Sequence, residues 1–287
     1  MAMSGHDGHG LPCGFSLLPD KRQDTYELMI NRIVEKVGQT RHVDTVICDF
    51  EKSMMNALGA ILSPEVNIRG CAFHFRKAIW RNIGLCGLQA FFYGEQIFNE
   101  LVYKVYALNL IPPKDLARLY QEQIVDTICS KREDDEEWRE GHDELESFMD
   151  YLDTTWIGKP IRGRPGARRK PMFEYRFWNQ YQAYSEQDDG EVVSTNNCLE
   201  SWNRTWNGLM GIKPNFFKVI QGFISQESET KRLLVTQATG RDMSDNSGRR
   251  SICRDHRERL KNIISQYATM PNEEFLTTLA HEIASKY

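Results

Sequence analysis

The sequence predicts an α/β fold at its N-terminal end that gives way to a long, nearly all-helical region. Two short runs carry the β part. Residues 44–48 contain the β-branched Thr45, Val46 and Ile47, the composition of a buried strand. In residues 66–73, Val66 and Ile68 alternate against Asn67 and Arg69, the period of a strand with one covered face. Almost everywhere else the apolar residues recur at three- and four-residue steps.

Taken in order, residues 11–18 read as a strand stopped by Pro19 and Asp20. Over residues 22–37, Tyr26, Met29, Ile30, Ile33, Val34 and Val37 fall on one helical face, and Gly38 suits the C-terminal cap. The strand at 44–48 follows. Met54, Met55, Leu58, Ile61 and Leu62 then form the face of a helix that ends before Pro64. From residue 75 to residue 156 the pattern is helical throughout. An amphipathic stretch over 91–108 is broken by Pro112 and Pro113, and Pro113 fits the first turn of a helix over 114–129. Glu133 to Glu137 is a charge run of the kind found on solvated faces, and residues 144–156 make another helix. Helices are further expected over 214–239, 252–267 and 271–287, with a polar connection at 240–250.

The chain has 287 residues, enough for one large core or two modest ones. A formal net charge of −4 argues against a protein that coats nucleic acid uniformly, while leaving room for a local basic groove. Seven cysteines, an odd number with no apolar leader run ahead of them, point to a reducing compartment and free thiols. No apolar run reaches membrane-spanning length.

Several residues are candidates for chemistry. Asp49 ends the strand at 44–48 and precedes a helix, the position where ligands and metals collect in open α/β sheets. Its carboxylate can hold a hard cation or cap the helix, and both readings stand. Thr195 can cap a helix on which Glu200, Asn203 and Asn207 share one face beside Trp202 and Trp206. Arg162, Arg164, Arg168, Arg169 and Lys170 crowd a segment whose Gly and Pro residues keep it out of regular structure. Such cations can neutralise phosphates, or form a solvated loop. Phe173, Tyr175, Phe177, Trp178 and Tyr181 follow; they can stack on bases, but rings this dense read first as core. Cys71-x-x-His74 and Cys253-x-x-His256 have zinc-ligand spacing, although the second pair lies in a strongly charged segment far along the chain. A lone Cys71–His74 pair reads first as a buried thiol with a hydrogen-bonded imidazole, and nothing marks a third partner for a nucleophilic cysteine.

Four segments in this order carry a resemblance to a known family. They are Pro12 to Lys21, Ile47-Cys48-Asp49-Phe50-Glu51-Lys52, Gly70-Cys71-Ala72-Phe73-His74-Phe75 with Trp80, and Ser194 to Asn203 with its Thr-Asn-Asn-x-x-Glu-x-x-Asn pattern. Together they resemble the transposase domain of Mutator-like elements, the MULE domain, over about residues 11–207. The resemblance implies an RNase H-like core in which three carboxylates hold two divalent ions, Mg2+ or Mn2+, for DNA strand cleavage and transfer. Asp49 matches the second carboxylate and Glu200 the third, so both are the expected catalytic and metal-binding residues. Cys71, His74, Asn197 and Asn203 are expected to support the site, and Arg162, Arg164, Arg168, Arg169 and Lys170 to bind DNA.

The implied layout is an N-terminus without fixed structure over 1–10, the first part of the core over 11–83, and a helical insertion with its basic loop over 84–172. The core returns over 173–210 with the Glu200 helix, and helices follow over 211–287. The family's first carboxylate lies on a strand well upstream of residue 11, usually followed by Gly-Thr. Asp7-Gly8 stands too close to the strand at 11–18 for a strand between them. The expectation is therefore of a chain lacking the first two core strands, a truncated, decayed or domesticated copy that is inactive because the first catalytic Asp is missing. DNA is the expected partner, with possible self-association, no membrane and no small-molecule substrate. The expected location is the nucleus. The alternative is a non-catalytic DNA- or protein-binding module derived from a transposase.

Overall fold

A computed structural model describes residues 2–6, 9–38, 43–164, 166–185, 197–239 and 247–285, with the backbone alone for 2–6, 9–13, 197–201, 237–238 and 247–254. The elements begin with strands β1 (Ala2–His6) and β2 (His9–Gly14), helix α1 (Gln23–Val37), strand β3 (Thr45–Cys48), helix α2 (Lys52–Ile61) and strand β4 (Asn67–Gly70). Helices α3 (Ala72–Leu85), α4 (Gln89–Gly94), α5 (Gln96–Ala107), α6 (Pro113–Tyr120), α7 (Asp126–Asp134), α8 (Glu136–Glu140) and α9 (His142–Leu152) follow. Short α10 (Tyr175–Trp178) and α11 (Tyr181–Ser185) precede α12 (Asn197–Met210), α13 (Phe216–Ala238), α14 (Ser247–Ser265) and α15 (Asn272–Ala284). Helix accounts for 71% of the structure, and β3 and β4 form a small parallel sheet. The chain divides into two compact units, Met1–Ile68 with Thr195–Arg250, and Arg69–Ser194 with Ser251–Tyr287, so the division falls inside β4.

In the first unit, β1 and β2 pair antiparallel, with His6 opposite His9. This corrects two expectations. A strand over Ala2–His6 replaces an unstructured N-terminus, and the strand expected at 11–18 is β2, ending at Gly14. Asp7 and Gly8 lie outside the described residues. Behind β3 and β4, Tyr26 and Ile30 of α1 pack on Ala57 and Leu58 of α2, with Val46, Cys48 and Ile68 against them. The amide of Asn67 donates to the carbonyl of Asp44 at 2.8 Å and starts the pairing. A second cluster stacks Phe15, Trp202, Trp206 and Phe223. Phe15 lies 4.8 Å from Phe223 and Trp202 lies 4.9 Å from Trp206, centroid to centroid. Gly222 allows this approach, since a Cβ there would come within 2.7 Å of the Trp206 ring.

The second unit is built on buried aromatics. Phe75 stacks on Trp178 at 4.9 Å and meets Trp156 edge-on at 4.9 Å. Phe91, Phe98, Phe148 and Trp138 form a neighbouring group. Helix α15 packs along α5, burying Phe275, Leu276 and Leu279. The aromatic rings of the 173–181 stretch pack against the core, as their density indicated: Phe173 and Trp178 are buried.

Three other elements differ from expectation. The strand read at 66–73 stops at Gly70, because Ala72, Phe75, Ile79 and Ile83 have helical spacing and bury one face of α3. The helix expected at 114–129 is two helices joined by a π-helical turn at Gln121–Val125, with Ile124 and Ile128 buried. The helix at 144–156 is α9 prolonged by a second π-helical turn, Asp153–Ile157, which ends at Gly158 with φ of 99°. The Thr195 cap lies outside the described residues.

Candidate functional site

Asp49 stands where β3 ends, exposed, with its carbonyl accepting from the amide of Glu51 at 2.7 Å. The N-cap position of α2 belongs to Glu51, whose carboxylate is held by the Tyr26 hydroxyl at 2.7 Å and Lys21 at 3.1 Å. Burial, and then the hydrogen bond to Glu51, push the Tyr26 phenol up to about 12. The turn that presents Asp49 is therefore tied to α1 through one carboxylate, a contact no local sequence pattern signals. Glu200 and Asn197 lie in the first turn of α12, where only the backbone is described. Asn203 is exposed one turn further on.

Cys71 is the N-cap residue of α3 and is fully buried, and His74 sits half-buried in that helix's first turn. Its ring meets Phe73 edge-on at 5.6 Å. The histidine of the other Cys-x-x-His pair has a carboxylate partner. His256 is buried, its Nδ1 lies 2.7 Å from Glu282, and Arg259 shares that carboxylate at 2.8 Å. The Cys253 side chain lies outside the described residues. Among the described residues no three His, Cys, Asp or Glu side chains gather as a metal-binding group. Asp49 and Glu200, expected from the resemblance to hold a divalent ion, are carboxylates, oxygen donors of the kind a hard cation prefers.

The basic segment is a strap rather than an open loop. Pro160 and Arg168 bridge antiparallel, the Ile161 amide donates to Ala167 at 2.9 Å, and the Arg169 amide donates to Lys159 at 2.8 Å. Arg168 points inward. Its guanidinium bonds Asp153 at 2.9 Å, the Gly158 carbonyl at 2.8 Å and Gln121 at 2.9 Å, and lies over the Tyr120 ring. Burial pushes the Asp153 carboxyl up, against the lowering effect of Arg168. Arg168, expected to bind DNA, thus turns three of its five N–H donors inward and pins the strap. Arg162, Arg164 and Arg169 are exposed and make no side-chain hydrogen bond or ion pair among the described residues. Lys170 pairs with Glu174 at 3.0 Å, and Arg176 approaches the same carboxylate at 3.5 Å. The inward turn of Arg168 was invisible in sequence because its partners lie 15 and 47 positions away.

Comparison with known families matches residues 1–78 to the MULE transposase domain. The match covers β1 to the first half of α3 and includes Asp49, Cys71 and His74. It bears out the resemblance over that stretch. Searches of curated proteins and of solved structures gave no match. No helix among the described residues is long and apolar enough to cross a membrane.

Proposed function

We propose, from the MULE transposase domain that residues 1–78 carry, that this protein acts on DNA as a transposase-type domain using metal-dependent strand cleavage and transfer. The observation that carries the proposal is the position of Asp49 inside the matched stretch, at the end of one strand of a parallel pair. In this reading residues 11–83, with β2 to β4 and α1 to α3, form part of an RNase H-like core, residues 84–172 form the helical insertion with its basic strap, and α12 brings back Glu200. Asp49 and Glu200 would hold the divalent ion, which when bound stabilises charge on the phosphate oxygens. Cys71, His74, Asn197 and Asn203 would shape the surroundings. Arg162, Arg164, Arg169 and Lys170 would take the DNA backbone. The nucleus is the proposed place of work, and self-association would bring two DNA ends together.

The resemblance supplies Asp49 and Glu200, two of the family's three carboxylates, and the match covers only Asp49, so the chain taken alone is proposed to cleave poorly or not at all. The test is nicking of supercoiled plasmid in Mg2+ or Mn2+, comparing the chain with Asp49→Ala. No nicking by either, together with salt-dependent DNA binding, fits this proposal and the related reading of a domesticated binding module. Nicking lost on Asp49→Ala shows that a third carboxylate is supplied within the chain. Nicking unaffected by that change removes Asp49 from the site.

A further inference from the structure

We infer that the cleft between the strap and α10 is a station for the DNA sugar–phosphate backbone, with Arg169, Lys170 and Arg176 as its phosphate ligands and Arg168 as the pin that orients them. The inference rests on the DNA-binding reading above, and adds to it Arg176, a residue no sequence motif selects.

The cleft is broad-mouthed, of about 480 Å³, and its lining includes Arg168, Arg169, Lys170, Glu174, Tyr175 and Arg176. Its charge is unbalanced. Arg168 is neutralised from behind by Asp153, which leaves three cations facing one carboxylate, Glu174. Glu174 is divided between Lys170 and Arg176, and Arg169 has no ion-pair partner among the described residues. An incoming phosphate therefore meets cations that are already close together and only partly compensated.

The cations are also held in place. Gly158 sits so close to the strap that a Cβ there would lie 2.0 Å from the Arg169 carbonyl oxygen. Arg168 then ties the strap to both π-helical turns through Gln121 and Asp153, and the Tyr175 hydroxyl donates to the Ile157 carbonyl at 2.7 Å. Arg169 and Lys170 thus project from a fixed backbone, which lowers the ordering cost of binding. An enclosed small anion would want a closed pocket. An open cleft whose cations continue along the strap to Arg162 and Arg164 suits an extended polyanion.

Anisotropy of a fluorescein-labelled duplex of arbitrary sequence, titrated with the full chain at several salt concentrations, tests this. Arg176→Ala is expected to flatten the log–log salt slope by roughly one unit, and Arg169→Ala, Lys170→Ala and Arg176→Ala together by roughly two to three. Arg168→Lys keeps the charge but loses the fork. It is expected to flatten the slope through its neighbours, whereas a purely structural role would lower the melting temperature and leave the slope of the folded fraction alone. Should that variant unfold, Gln121→Ala removes one acceptor of the pin and is expected to flatten the slope in part; an unchanged slope there overturns the pin. A steep wild-type slope that only Arg162→Ala with Arg164→Ala flattens overturns the cleft and leaves DNA binding standing. A wild type with no salt-dependent binding overturns both.

Discussion

In the unit formed by Arg69–Ser194 and Ser251–Tyr287, Trp138, Trp156 and Trp178 are at most 1% exposed. In the other unit Trp202 and Trp206 are half-buried, and Phe216, Phe217 and Ile224 are 64%, 77% and 59% exposed. Among the described residues its buried apolar side chains are few: Tyr26, Ile30, Met55, Ala57, Leu58, Val66 and Met210. Asp49 and Glu200 both belong to this thinly packed unit, and the helical unit has the deeper core. Elements that must admit a long substrate are commonly drawn from the less stable part of a protein, and large exposed apolar side chains mark surfaces that meet something else. The contrast teaches that the helical unit supplies stability, while the Asp49 turn depends on a few specific ties.

Core truncation sharpens the contrast most. Phe75→Ala removes a ring packed between Trp156 and Trp178 and is expected to cost about 3–5 kcal/mol in denaturant unfolding. Leu58→Ala, whose neighbours are partly exposed and can close the gap, is expected to cost about 2 kcal/mol. Equal costs would mean that the two cores are energetically alike.

Glycine replacement follows. Gly158→Ala puts a methyl group against the Arg169 backbone at a positive φ and is expected to cost about 1–3 kcal/mol and free the strap to proteases. Gly222→Ala meets the Trp206 ring and the mobile end of Met210, and is expected to cost less and to change tryptophan fluorescence. A larger loss at Gly222 would reverse the ranking of the two regions.

The smallest effect concerns the tie beside Asp49. Tyr26→Phe removes the hydroxyl that holds Glu51 and is expected to cost about 1 kcal/mol near neutral pH. The Tyr26 phenol, with an ordinary value of 10.0, is pushed up to about 12 in the folded chain. Its contribution is complete below about pH 10 and is lost as pH rises through about 12, because the unfolded chain gives up the proton first. The variant should therefore show a shallower fall in melting temperature over that window. An identical fall would assign the alkaline instability to other groups.

Much of the fold was legible because helical periodicity is local. The six apolar positions from Tyr26 to Val37 fixed α1 to within a residue of its start, and Pro113 opens α6 as its ring geometry dictates. The boundary at Gly70 was misread because Val66–Arg69 alternates while Phe75, Ile79 and Ile83, one helical face, begin just beyond it. Asp49 was legible as a strand-end carboxylate. The Arg168 pin and the Tyr26–Glu51 tie were not, since both join residues 15 to 47 positions apart and depend on folding to be brought together.

The central claim is that Asp49 and Glu200 share a divalent ion. Mn2+ binding followed by electron paramagnetic resonance, through loss of the free-ion signal, tests it without requiring activity. Asp49→Asn and Glu200→Gln should each weaken binding about tenfold or more. The double variant should be little worse than either single one, as expected for two ligands of one ion. Binding that survives both changes, or two independent losses that simply add, would contradict the account.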